Sequence, residues 1–197
     1  MKTIFYTIVI AVAIFLSGCA KRNFYPDKDD PGLSRFTSYG YNVVTNYING
    51  KPYINLFSLL RGNYLPVFTK LSTNSAEDTL SIYWPIERED TSKNNNDPYQ
   101  YLELWMPVSK TFSKIDFLSY NGKRIIDSCS IAVGSLGNPG APPKGQANIY
   151  FVKIEEDKTY LNPHLKISGL FDGNIGDSIL VTKGRFDFNI DESTLDF

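Results

Sequence analysis

The chain has 197 residues, a formal net charge of −1, one histidine and two cysteines. A near-neutral balance without clustered Lys and Arg argues against nucleic-acid binding, which depends on positive charge set against phosphates. A single histidine argues against Ser-His-Asp triads and histidine-based metal sites, and the length suits one domain with its own core.

The N-terminus is typical of a lipoprotein signal peptide. Residues 4–16 are apolar and follow the positive charge of Lys2, and the stretch is shorter than the roughly 20 residues that span a bilayer. Leu16-Ser17-Gly18-Cys19 then matches a bacterial lipobox, in which the signal is cut before a cysteine that becomes lipidated. We predict a signal peptide over 1–18 and lipidation of Cys19, with an ordinary secretory signal as the alternative.

The residues after Cys19 are polar and charged and end in Pro31-Gly32, without the periodicity of a helix or strand. This composition predicts a lipid-anchored flexible tether over 19–35. A single domain then covers 36–197. We predict that the lipid attaches the chain to the membrane, because the sequence contains no basic amphipathic helix that could bind the membrane surface.

Strand patterns follow one another through this domain. Asn49-Gly50 predicts a hairpin between 41–48 and the run that begins at Lys51, since both positions of such a turn need positive φ. Asn121-Gly122 predicts a second hairpin, between Ile115–Tyr120 and Lys123–Val133. Further strands are predicted over 64–71, 79–84, 99–106, 147–155, 164–171 and 180–190.

Period-two alternation with one polar face is typical of antiparallel sheets that pack one side on a core. In 180–190 it places Leu180, Thr182, Gly184, Phe186, Phe188 and Ile190 on one face. In the predicted strand 123–133 the alternation places Cys129 on the core face with Ile125, Ile131 and Val133. Cys129 is therefore expected to be a buried free thiol. We predict an all-β antiparallel sandwich of roughly eight to ten strands, with a closed β-barrel as the alternative.

Three segments carry a family resemblance. They are the first hairpin over 43–53, the strand Leu165–Phe171 and the strand Ile179–Phe188, which contains Gly184-Arg185-Phe186-Asp187. Together with the lipobox they resemble small Bacteroidetes-type lipoproteins of unknown function. The resemblance implies an exported β-sandwich and supplies no activity. Surface-exposed members of that group often carry an acidic run after the cysteine, whereas Ala20-Lys21-Arg22 stands here, which favours the periplasmic face of the outer membrane.

Aromatic side chains give the predicted ligand site. Tyr99, Tyr101 and Trp105 alternate with Leu102, Leu104 and Met106. Exposed aromatic rings on a sheet offer flat apolar surfaces with polar edges that can stack on sugars. A strand buried on both of its faces would give the same pattern, so burial of these rings in the core is the other interpretation.

Other chemistry-bearing residues give weaker patterns. Glu87, Glu89, Asp90 and Glu103 are candidates for a carboxylate pair of the kind that hydrolyses glycans. His164 has no second histidine at ligand spacing, and Asp172–Asp177 lacks the spacing of a calcium loop and favours a hairpin turn. Asp78-Thr79-Leu80 and Asp177-Ser178-Ile179 match an O-glycosylation triplet of the resembled group. No metal or cofactor is predicted.

The function expected from these features is that of a non-enzymatic envelope lipoprotein that binds a glycan, a protein or an envelope component. A structural or adhesive subunit that pairs through an edge strand, such as the terminal segment 186–197, is an alternative. A carboxylate-dependent glycan hydrolase is the second alternative.

Overall fold

The computed structural model describes residues 27–56, 70–74, 79–88, 101–134, 142–159 and 163–191. The predicted signal peptide, Cys19 and Tyr99 lie outside these residues. Within these ranges the strands are β1 Val43–Ile48, β2 Lys51–Leu56, β3 Lys70–Asn74, β4 Thr79–Pro85, β5 Glu87–Arg88, β6 Tyr101–Pro107, β7 Arg124–Gly134, β8 Lys144–Asp157, β9 His164–Ile175 and β10 Ile179–Asp191. A short helix, α1 Lys114–Leu118, lies between β6 and β7.

The strands form one antiparallel sheet in the order β3-β4-β6-β7-β8-β9-β10-β1-β2-β5. The all-β class is therefore confirmed, and the described residues contribute ten strands to this sheet. The sheet is continuous rather than divided into two separately hydrogen-bonded layers, because each described strand pairs with its neighbour in this order. The Asn49-Gly50 hairpin is present as predicted: both residues have positive φ, and Ile48 pairs with Lys51.

The sheet curls into a half-barrel around its own core. Trp84 on β4 packs against Phe171 on β9 and Phe188 on β10, with ring centroids 5.3 and 6.2 Å apart. Since three strands separate β4 from β9 in the sheet, this contact requires the two halves to face each other. The core therefore lies on the concave side of the sheet, and the convex outer side is not part of this core.

The predicted strand Ile115–Tyr120 is wrong, because this segment contains the helix α1. Its start is fixed by a capping box, in which the Ser113 side chain accepts a hydrogen bond from the Asp116 amide while Asp116 accepts one from the Ser113 amide at 2.9 Å. Phe117 is the buried anchor of the helix. Asn121-Gly122 accordingly forms a turn from the helix into β7 and not a hairpin between two strands.

The predicted single face of 180–190 holds only from Gly184 onward. A bulge between Val181 and Gly184 shifts the register against β9, and Lys183 within it has φ of 51°. Val181 is therefore buried and Leu180 exposed, the reverse of the prediction. An extra residue in one strand inverts the alternation beyond it, which period-two patterning alone does not detect.

The prediction of a flexible tether is wrong for residues 27–35, because these residues pack on the sheet. Residues 27–42, here called the strap, pack on the outer side of β10 and β1, with Leu33 0% exposed. Ser34 Oγ lies 3.3 Å from Thr45 Oγ1, and the Asp187 carboxylate accepts hydrogen bonds from the amides of three consecutive strap residues, Tyr39 to Tyr41. The order of this segment comes from contacts with distant strands, which its own polar composition does not reveal.

Cys129 is buried as predicted, with 3% exposure, and burial raises the pKa of its thiol to about 11.

The terminal strand is not an edge, because β10 pairs with β9 on one side and β1 on the other. The prediction that 186–197 is an edge segment is therefore wrong for residues 186–191, which belong to β10. In the part of the chain that the structure describes, no helix has the length and apolarity needed to cross a membrane.

Candidate functional site

Tyr101 and Trp105 lie on the outer side of β6, while the alternate residues Leu102, Leu104 and Met106 are fully buried in the core. Tyr83 on β4 joins them, with its ring centroid 5.4 Å from that of Tyr101. We call this surface of Tyr83, Tyr101 and Trp105 the aromatic face. Both described members of the predicted site are therefore partly exposed on the outside of the sheet.

The rings of the aromatic face are partly covered by neighbouring side chains. Lys144 Nζ lies 4.5 Å from the centre of the Trp105 ring, and the hydroxyl end of Tyr101 lies against Gly134. Burial, and then the charge of Glu103, raises the pKa of Tyr101, so its hydroxyl stays protonated at neutral pH. The face is a packed surface with one ring capped by a cation.

A concave site lies farther along the same outer side, on β7 to β10. This groove has a volume of about 620 Å³, within the range of small-ligand sites. Its residues come from four strands and the strap, and they include Asp30, Arg124, Asn148, Tyr150, Leu170 and Asp172.

The floor of the groove follows from strand register. Arg124 pairs with Tyr150, Tyr150 with Leu170, and Leu170 with Arg185, so these four side chains form one row across the sheet. Two residues farther along β8 and β9, Asn148 pairs with Asp172 in the next row. Leu170 is 37% exposed, which makes the floor an aromatic and aliphatic surface beside a polar pair.

One wall of the groove is a bulge in β7. Ile125 pairs with Ile149 and Cys129 with Ala147, so residues 126–128 stand opposite Asn148 alone. Asp127 has φ of 60°, and its amide donates to Asn148 Oδ1 at 3.3 Å. Ile126 projects from this bulge with 57% exposure. Bulges that redirect side chains beside binding sites are common.

The opposite wall combines the β10 bulge with the strap. Lys183 and Arg185 both form ion pairs with Asp30, and Arg185 Nη1 also reaches Asp27 Oδ2 at 2.5 Å. A hydrogen bond from the Asp29 amide and the contact with Arg185 hold the pKa of Asp27 below its ordinary value. Asp27 therefore stays ionised at neutral pH, and the strap is clamped against the groove.

Two polar groups of the groove keep unused hydrogen-bonding capacity. Asp172 Oδ1 accepts from Asn148 Nδ2 at 2.9 Å, while Oδ2 receives no hydrogen bond from the described residues. The Arg124 guanidinium lies 4.9 Å from the centre of the Tyr150 ring and forms no ion pair within the described ranges. The arrangement offers a carboxylate acceptor at one end and a planar cation at the other.

The remaining candidates do not converge on the groove. His164 Nδ1 lies 3.1 Å from Asn189 Oδ1 at the far end of β9, and Glu103 belongs to the outer side of β6. Glu89 and Asp90 lie outside the described residues, so the carboxylate pair stays a prediction. Among described residues, no group of three or more His, Cys, Asp and Glu side chains is placed to hold a metal.

The two glycosylation triplets differ in accessibility. Ser178 is exposed in the turn between β9 and β10, whereas the Thr79 hydroxyl is buried and has no hydrogen-bond partner among the described residues. Asp172–Asp177 ends β9 and enters this turn, as expected for a hairpin.

Sequence reasoning missed the groove because its residues are spread from Asp30 to Arg185 and match no motif. The one local signal was the apolar Leu170 among the polar outer positions Lys166, Asp172 and Asn174 of β9. A scan against protein-family models and searches of curated proteins and of solved structures give no match to this chain.

Proposed function

We propose that this chain is a non-enzymatic lipoprotein of the bacterial outer membrane, anchored through Cys19, that binds a glycan in the groove. The periplasmic face is the favoured location, and the resemblance to Bacteroidetes-type lipoproteins agrees with this assignment. The observation that carries the binding role is the floor of half-buried Tyr150 and exposed Leu170 beside the Asn148–Asp172 pair.

This floor has the chemistry that a sugar requires. An aromatic or aliphatic surface takes the apolar face of a sugar ring, and a carboxylate or amide takes its hydroxyl groups. The Asn148–Asp172 hydrogen bond fixes both polar side chains before a ligand arrives. A preformed site avoids much of the entropic cost of ordering side chains on binding.

The docked strap limits how far the groove lies from the proposed lipid. Eight residue steps separate Cys19 from Asp27, where the strap meets Arg185. A fully extended chain covers about 3.6 Å a residue, so the strap begins within about 29 Å of the anchored cysteine. In this proposal the domain therefore samples ligands close to the membrane surface.

Affinity electrophoresis in gels that contain soluble polysaccharides tests the proposed site. We expect retardation of the wild-type domain that is lost in Asp172→Ala and kept in the control variant Trp105→Ala, which alters the aromatic face. The reverse result would move the site to the aromatic face, and the absence of retardation by any polysaccharide would overturn the glycan-binding role.

Metabolic labelling tests the anchor. Cells that produce the full chain are expected to incorporate labelled palmitate into the wild type and not into Cys19→Ala. Equal labelling of the two proteins would contradict lipidation at Cys19.

A further inference from the structure

We infer that the groove selects saccharides that carry a negatively charged group, and that Arg124 receives this group. The inference rests on the proposed glycan-binding function and names the class of its ligand. It starts from a difference among the cations of the groove. Lys183 and Arg185 are neutralised by strap carboxylates, whereas Arg124 has no carboxylate partner in the described part of the chain.

The position of Arg124 suits an anion receptor. It stands opposite Tyr150 in the register, and its guanidinium lies over that ring at 4.9 Å. Stacking on an aromatic ring restrains the plane of a guanidinium while its N–H groups remain at the edge. Those N–H groups can bind both oxygens of a carboxylate or sulfate at once.

The ion pairs of the groove leave Arg124 as the cation available to a ligand. Asp27 and Asp30 neutralise Arg185 and Lys183, so Arg124 and the Asp172 carboxylate are the charged lining residues outside these pairs in the described part of the chain. Asp30 is committed to Lys183 and Arg185. Asp172 lies in the other row, two residues along and two strands across from Arg124.

This separation leaves space for sugar rings between the two ends. Two residues along a strand cover about 6.6 Å, and two strand spacings cover about 9.6 Å. A ligand with its negative group at Arg124 thus places its hydroxyl groups near Asp172 Oδ2 and its rings over Tyr150 and Leu170. Repulsion from Asp172 keeps the negative group at the Arg124 end.

Sheet topology favours a saccharide over a peptide. All four strands of the groove are interior strands with partners on both sides, so a peptide cannot add to them by main-chain pairing. Recognition must come from side chains on the face of the sheet. Carboxylate, amide and guanidinium groups around an apolar floor suit a polyhydroxylated ring with an acidic substituent.

Isothermal titration calorimetry with three matched ligands tests the inference. The ligands are an oligogalacturonate, the neutral galactose oligomer of equal length and its sulfated form. At low salt we expect the wild-type domain to bind at least one of the two anionic oligomers at least tenfold more tightly than the neutral one. Binding by only one of them assigns the group as carboxylate or sulfate.

Variants separate Arg124 from a general charge effect. Arg124→Gln is expected to remove the preference for the anionic oligomer, and Arg124→Met provides a second variant that retains an aliphatic stem over Tyr150. Lys110→Gln removes an exposed cation that belongs to neither the groove nor the strap and is expected to keep the preference. Circular dichroism melts confirm that each variant is folded before titration.

Two results would overturn the inference in distinguishable ways. Equal binding of neutral and anionic oligomers, or a preference unchanged in both Arg124 variants, overturns anion selection and leaves the glycan-binding function intact. Failure of all three oligomers here, together with failure of every polysaccharide in the gels, overturns the proposed function itself.

Discussion

The aromatic face and the groove occupy the same outer side of one sheet, yet only the groove is concave. On β4 and β6 the outer residues alternate regularly, and Lys144 from β8 covers the Trp105 ring. On β7 and β10 two bulges interrupt the alternation and raise walls beside Tyr150 and Leu170. Outward-facing aromatic residues on regular strands thus form a surface without walls, whereas the bulges in irregular strands provide the walls of a binding groove.

Glycine substitutions give the largest expected contrast between the two regions. A Cβ on Gly169, under the groove floor, would lie 2.5 Å from the Tyr150 carbonyl oxygen and would collide with Phe186. We expect Gly169→Ala to lower the free energy of unfolding by about 3 kcal/mol, because neither neighbour can move away easily. Gly134→Ala meets only the movable end of Tyr101 and should cost about 1 kcal/mol. Urea denaturation measures both, and equal losses would contradict the comparison.

Removing the clamp of the strap is expected to have the next largest effect. Arg185→Gln leaves Asp30 buried with one cation and releases Asp27, so we expect a loss of about 2 kcal/mol in unfolding free energy. Amide hydrogen exchange should accelerate over 27–42. Lys153→Gln breaks the exposed pair with Glu155 and serves as the control, with an expected change below about 0.5 kcal/mol. Unchanged exchange in the strap of Arg185→Gln would refute the clamp.

Acid should loosen the strap side of the groove before the aromatic face. The pKa of Asp27 is lower in the folded protein than the ordinary value of 3.8. The stabilisation from this carboxylate is therefore complete well above pH 4 and is lost as the pH falls through the folded pKa. Hydrogen exchange followed from pH 5 downward is expected to show extra opening of 27–42 that is absent in Asp27→Asn, and identical profiles for the two proteins would contradict this role.

Opening the aromatic face should have the smallest effect. Lys144→Gln removes the cation from the Trp105 ring, which is worth about 0.5 to 1 kcal/mol at an exposed site. Acrylamide should then quench Trp105 fluorescence more strongly, while buried Trp84 is unaffected. Retardation in polysaccharide gels is expected to stay as in the wild type. Stronger retardation would indicate that this face, rather than the groove, receives the glycan.

Local chemistry made much of the fold predictable. Asn49-Gly50 supplied the positive φ angles of its hairpin, and the alternation around Trp105 predicted that Leu102, Leu104 and Met106 share one face, which is the buried one. Predictions failed where a distant or side-chain interaction outweighed the local pattern. The capping box of Ser113 and Asp116 produced a helix in an apparent strand, and Asp187 ordered a strap that resembles a linker.

By itself, the sequence determined that the domain is an antiparallel all-β structure with Cys129 in its core, because period-two burial and turn residues act over a few positions. Its segment Leu16-Ser17-Gly18-Cys19 also predicts an anchor at Cys19. Only the tertiary structure decided that the strap is docked and that Arg124, Tyr150, Leu170 and Asp172 line one groove. That decision depends on strand register and on bulges, which bring residues far apart in the chain into adjacent rows and have no local signature.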